Sequence, residues 1–162
     1  MNAIGAITRA LGTSKNLWER LIGDFSDADL LVRPAPGSNQ IAWQLGHIIA
    51  SEVRSQPQFG AVTPPLPEGF IERHAREADV QNKNSQYLTK AEYLKVFEDV
   101  RGATLDALNR MTESDLDKPS TGPTAQIAPT IGALFLLVAS HGLLHVGQVS
   151  VARRQLGKPV LF

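Results

Sequence analysis

Cysteine is absent from the chain. That excludes disulfides, thiolate metal ligands and a cysteine nucleophile, and it fits a reducing compartment. Aromatic residues are scarce, at 6% of the chain, so the core must rest on Leu, Ile, Val and Ala. Neither sign of charge is in excess: 16 Lys and Arg balance 16 Asp and Glu. Without a basic stripe, nothing in the sequence points to nucleic acid. The densest basic stretch, Arg153, Arg154 and Lys158, reads as the end of a helix, where the helix dipole favours cations. The longest apolar run, Ile131 to Ser140, falls short of the roughly 20 residues that span a bilayer, so no membrane partner is expected. The N-terminus lacks the charged-then-apolar layout of a signal peptide. A cytoplasmic location is the resulting expectation.

What remains is helical. A length of 162 residues suits a single domain over residues 1–162, and strand signals are weak throughout. The spacing of Ile4, Ile7, Leu11, Trp18, Leu21 and Ile22 predicts a first helix from Asn2 to about Asp24. Pro34, Pro36 and Gly37 then break the pattern. A second helix is expected from an N-cap at Ser38 to Gln56, stopping before Pro57. The stretch from Pro57 to Leu88 is rich in Pro, Gly and polar residues. It is long enough to cross a bundle from end to end, and such long connections are often functional. Thr89 and Glu92 form a capping box that opens a third helix. A fourth runs from about Thr130 to Gly157, a C′ glycine followed by Pro159. The fold class is therefore all-α, a four-helix bundle with a long crossover between helices 2 and 3.

The chemistry concentrates in histidine. His141 and His145 stand four apart and share one helix face. That face carries Leu134 and Val138 on one side and Gln148 and Ala152 on the other, so it points inward. His47 sits among apolar residues of the second helix. Three inward imidazoles from two helices form a candidate metal site with positions left for water or substrate. The plainer alternative is a set of satisfied core histidines. Gly142 after His141 argues against a zinc protease of the His-Glu-x-x-His type, which needs Glu there. His74 has no partner at helical spacing and is expected to be dispensable. Glu52 and Gln148 are candidates for an outer layer around the metal. For Glu52, a surface carboxylate is the competing reading. Gly46, Gly142 and Gly147 adjoin the histidines and mark either close helix approach or room for a ligand.

Two segments carry a family resemblance. The first is Asn39-Gln40-Ile41-Ala42-Trp43-Gln44-Leu45-Gly46-His47-Ile48, with a Trp four residues before a His. The second is His141-Gly142-Leu143-Leu144-His145-Val146-Gly147-Gln148, leading to Arg153-Arg154-Gln155-Leu156-Gly157. Together they resemble the DinB-like superfamily of metal-dependent bundle proteins. The resemblance implies that His47, His141 and His145 are ligands of one divalent ion, such as Zn, Ni or Fe. It also implies a small-molecule substrate, and some relatives act on a low-molecular-weight thiol. Reaction types in such a family include S-transfer and hydrolysis. The alternative is a non-catalytic, metal-stabilised bundle serving as a stress or interaction protein. Finally, the apolar tail Lys158 to Phe162 must cover itself. Docking on a second subunit would make a homodimer, and docking on the bundle is the other outcome.

Overall fold

Four long helices and two single-turn ones make up the chain in a computed structural model that describes residues 2–76 and 86–161. The long helices are α1 (Ala3–Ile22), α2 (Ile41–Phe59), α4 (Lys90–Asn109) and α6 (Ile131–Gln155). The short ones are α3 (Phe70–Arg73) and α5 (Glu113–Leu116). Short 3-10 turns at Asp29–Leu31 and Pro123–Gln126 complete the set. No β-strand occurs among the described residues, and the four-helix bundle is the observed architecture.

Side-chain caps set several helix boundaries. Asn2 accepts from Gly5 N at 2.9 Å, and Thr130 accepts from Ala133 N. Thr89 and Glu92 form the reciprocal capping box at the head of α4. Gly157 follows α6 with φ at 66°, the left-handed conformation that favours glycine.

α2 departs from expectation at both ends. It starts at Ile41 behind Gln40, not at Ser38. Ser38 instead closes the preceding turn, donating to Ala35 O at 2.7 Å and accepting from Ala35 N. At the other end the helix runs through Pro57 to Phe59. Pro57 lies in the final turn, and Phe59 is buried, stacked on Phe135 with centroids 3.7 Å apart.

α1 packs on α6 and α4, and α2 packs on the same two helices. Cross-helix contacts fix the directions. Trp18 reaches Gly142 and Leu21 reaches Arg153, so α1 and α6 are parallel. Glu52 meets Arg101 while Gly46 lies over His74, which bonds Tyr93, so α2 and α4 are parallel too. A parallel pair forces the intervening chain back along the bundle. The crossover of residues 60–89 does this, and residues 77–85 of the expected irregular stretch lie outside the described residues. The crossover is anchored in the core by Phe70 and His74, both fully buried.

The core has two apolar halves. One gathers Trp18, Phe25, Leu45, Ile49, Phe97 and Val149; the other gathers Leu11, Phe59, Leu108, Leu134 and Phe135. Polar groups run between them. Arg101 holds both Glu52 oxygens, at 2.9 and 2.8 Å, and also donates to Leu11 O. Gln56 Nε2 donates to Val100 O and Thr104 Oγ1. Glu52 is thus 1% exposed and ion-paired, which corrects the reading of it as a surface carboxylate.

At 25 residues, α6 is long and apolar enough by length and composition to cross a bilayer. The uninterrupted apolar run within it, Ile131 to Ser140, is much shorter. In the bundle, two sides of α6 are covered by α1 and α2. Part of the tail docks on its own bundle: Pro159 O accepts from Arg153, and Leu161 packs against the first apolar half. Val160 stays 60% exposed beside it.

Removing one member of the buried ion pair leaves the other charge without a partner. Arg101→Met should lower the unfolding free energy by about 3–5 kcal/mol, measured in urea, and a second change, Glu52→Leu, should recover most of the loss.

Candidate metal centre

α2 and α6 run antiparallel, and their seam brings His47 opposite His141 and His145. One ring nitrogen from each of the three lies within 4.8 Å of the other two. The ring centroids are 5.2 Å (His47–His141), 5.8 Å (His47–His145) and 5.0 Å (His141–His145) apart. The convergence expected from the spacing is therefore present.

Hydrogen bonding decides which nitrogens converge. His47 Nδ1 lies 2.8 Å from the carbonyl of His74. A carbonyl only accepts, so Nδ1 carries the proton and Nε2 keeps its lone pair. His145 Nδ1 lies 3.0 Å from Gln44 Oε1. The Gln44 amide is itself oriented, because its Nε2 donates to Asn39 O at 2.9 Å. The oxygen must then face His145, which fixes the same tautomer there. Oriented imidazoles with Nδ1–H bound to a carbonyl are a common arrangement of metal-ligating histidines. Burial, followed by repulsion from neighbouring charge, lowers the pKa of His141 and of His145 to about 4. Both are neutral at pH 7, the form that coordinates metal. The donor set thus fits a divalent ion.

The surroundings revise several expectations. His74, expected to lack partners, has them: its ring is fully buried, with Nδ1 donating to Phe70 O at 2.7 Å and Nε2 accepting from Tyr93 Oη at 2.7 Å. That ring lies directly against α2 at Gly46, where an added Cβ would come within 2.2 Å of His74 Cδ2. At Gly142 a Cβ would meet Ser14 Oγ at 2.2 Å. Both glycines therefore serve close approach and do not open a ligand cavity beside the histidines. Glu52 gives both oxygens to Arg101 and contributes nothing to the cluster. Gln148 does line the mouth of the site. Gln44 and the His74 carbonyl, not Glu52, form the outer layer. The Trp43 ring stacks on His47, with centroids 4.5 Å apart and planes 11° from parallel.

Neither His74 nor Glu52 is placed to complete the coordination, so the three histidines face an open space. That mouth has a volume of about 530 Å³ and is lined by Asn39, Trp43, Arg76 and Gln148 beside the histidines. Among the described residues, Arg76 is the only formally charged side chain lining it.

The sequence profile of the DinB superfamily matches residues 10–149. The chain belongs to the DinB superfamily. Two solved structures share the fold seen here. YfiT from Bacillus subtilis, described as a probable metal-dependent hydrolase with an unusual four-helix bundle topology, is 15% identical, with a TM-score of 0.73 over 96% of this chain and 89% of that one. A conserved protein from Enterococcus faecalis is 16% identical, with a TM-score of 0.70 over 98% of this chain and 99% of that one. No curated protein sequence matches the chain.

The histidines make stability depend on pH. Burial holds His74, like His141 and His145, at a pKa of about 4, against an ordinary value of 6.5. The unfolded chain takes up protons as pH falls through 6.5, whereas the folded chain resists until about 4. Stability should be complete above pH 6.5 and fall steadily toward pH 4. Urea midpoints at pH 7.5, 6 and 4.5 should show this, and His74→Gln should flatten the slope.

Proposed function

We propose that this chain is a divalent-metal-dependent enzyme acting on a small molecule, with hydrolysis as its reaction type. The observation that carries the reading is the set of three converging imidazoles, with neither Glu52 nor His74 available to close the site. A closed set would favour the non-catalytic, metal-stabilised bundle. His47, His141 and His145 would hold the ion, and imidazole donors suit Zn, Ni or Fe. When bound, a divalent ion supplies Lewis-acid polarisation and makes a nucleophile available at neutral pH. This also suits a chain without cysteine and without a Ser-His-Asp arrangement.

The protein's own part is orientation. Gln44 and the His74 carbonyl keep the protons of His145 and His47 on Nδ1 and hold both rings in place. Trp43 forms a flat wall against His47. The description of YfiT as a probable metal-dependent hydrolase supports the same direction. A second reading, thiol-dependent S-transfer, draws on the polar mouth with Arg76, Asn39 and Gln148, which suits a hydrophilic low-molecular-weight thiol.

Metal analysis and calorimetry on purified protein should find one ion per chain. His47→Ala, His141→Ala or His145→Ala should abolish tight binding. Gln44→Leu should weaken it about 10–100-fold, since the ligand ring loses its orienting partner. Ester and amide substrates, tested beside thiols with an electrophile, separate the two enzyme readings. Turnover of none of them by metal-loaded protein would leave the non-catalytic bundle.

A further inference from the structure

Further along the α2/α6 seam lies a second cavity, of about 230 Å³. His141 borders both it and the polar mouth. Its walls differ from those of the mouth. Ile48 comes from α2, Leu137 and Val138 from α6, and Ile127 from the connection after the 3-10 turn. Its polar lining is Ser51 and Ser55 from α2, Thr124 from the 3-10 turn, and Glu52, whose carboxylate is already committed to Arg101. Pockets that hold a whole drug-sized ligand measure roughly 300–1,000 Å³, so this one suits a single arm of a molecule whose remainder sits elsewhere.

Resting on the metal-dependent reading above, we propose that the substrate carries a short aliphatic arm that lies in this groove. Its polar, metal-reactive group sits at the three histidines, and any further polar portion extends into the mouth. The arrangement follows from where each kind of surface is found. On one side of His141 the aliphatic Ile48, Ile127, Leu137 and Val138 stand among a few small polar groups, and on the other lie Asn39, Arg76 and Gln148. Ile127 supports the assignment: it is 72% exposed, a large apolar side chain left at the rim of the groove with its face uncovered. Burying apolar surface of the arm against Ile48, Leu137, Val138 and Ile127 would be favourable in proportion to its length. The groove therefore selects aliphatic over polar arms and limits their length.

Alkyl hydroxamates test this, because the hydroxamate binds a protein-held metal and the alkyl arm can be varied. Zinc-loaded protein would be titrated with aceto-, butyro-, hexano- and octanohydroxamate by calorimetry. Affinity should rise up to about four-fold for each added methylene until the groove is filled. Val138→Phe should block the groove, keeping acetohydroxamate affinity while removing the gain with length. Ile127→Ser changes an exposed position, is safe for folding, and should reduce the gain. If zinc and acetohydroxamate bind but affinity stays flat along the series, the groove proposal is overturned and the metal reading stands. If none of zinc, nickel or iron is taken up, the metal reading fails and this proposal fails with it.

Discussion

A histidine that turns its Nε2 toward a shared centre must place its Nδ1–H somewhere else inside the protein. An unmet donor there would cost about 1–3 kcal/mol. For His47 the acceptor is the carbonyl of His74, and much of the architecture serves to bring it there. His74 belongs to the crossover, far from α2 in sequence. It reaches α2 only because Gly46 has no Cβ. It stays there because its own ring is satisfied on both sides, by Phe70 O and Tyr93 Oη. The crossover, α2 and α4 are thus tied into one hydrogen-bonded chain that ends at the candidate metal centre.

The polar layer deeper in the bundle has a related effect. Arg101 reaches Glu52 on α2 and Leu11 O on α1 at once. Gln56 reaches Val100 and Thr104 on α4. Sliding α2 by one turn against α4 would leave these groups buried and unpaired. Hydrophobic packing alone tolerates such shifts, whereas charged and amide groups with fixed partners do not. His47 is on the same rigid helix as Glu52 and Gln56, so its height against α6 is set along with theirs.

Legibility in the sequence followed the range of the interaction. Local signals read correctly: the Thr89/Glu92 capping box, Thr130 at the head of α6, Gly157 at its end, and the i, i+4 pair His141/His145. The inward face of His47 followed from its apolar neighbours. Local signals were also the ones that misled where tertiary contact overrode them. Ser38 is a favoured N-cap residue, yet its hydroxyl is used in the turn at Ala35. Pro57 is a helix breaker, yet the buried stack of Phe59 on Phe135 draws one more turn out of α2. Non-local pairings left no trace in spacing. Glu52 and Arg101 are 49 residues apart, and Gln44 and His145 are 101 apart. His74 looked dispensable because its partners, Phe70 apart, come from other elements.

Two of the three imidazoles lie on α6, the last of the long helices to be synthesised. Chain synthesis is vectorial, and the centre draws on Gln44, His47, His74, His141 and His145. The first helices and the crossover emerge well before α6, which supplies two of the three imidazoles. A ribosome-bound chain therefore carries His47 with its orienting carbonyl but without the other two rings. Until α6 docks, the polypeptide has no converged three-imidazole pocket, so a strong grip on a cation would appear only with the complete bundle. The three-imidazole cluster is thus a property of the assembled bundle and of no single segment of it.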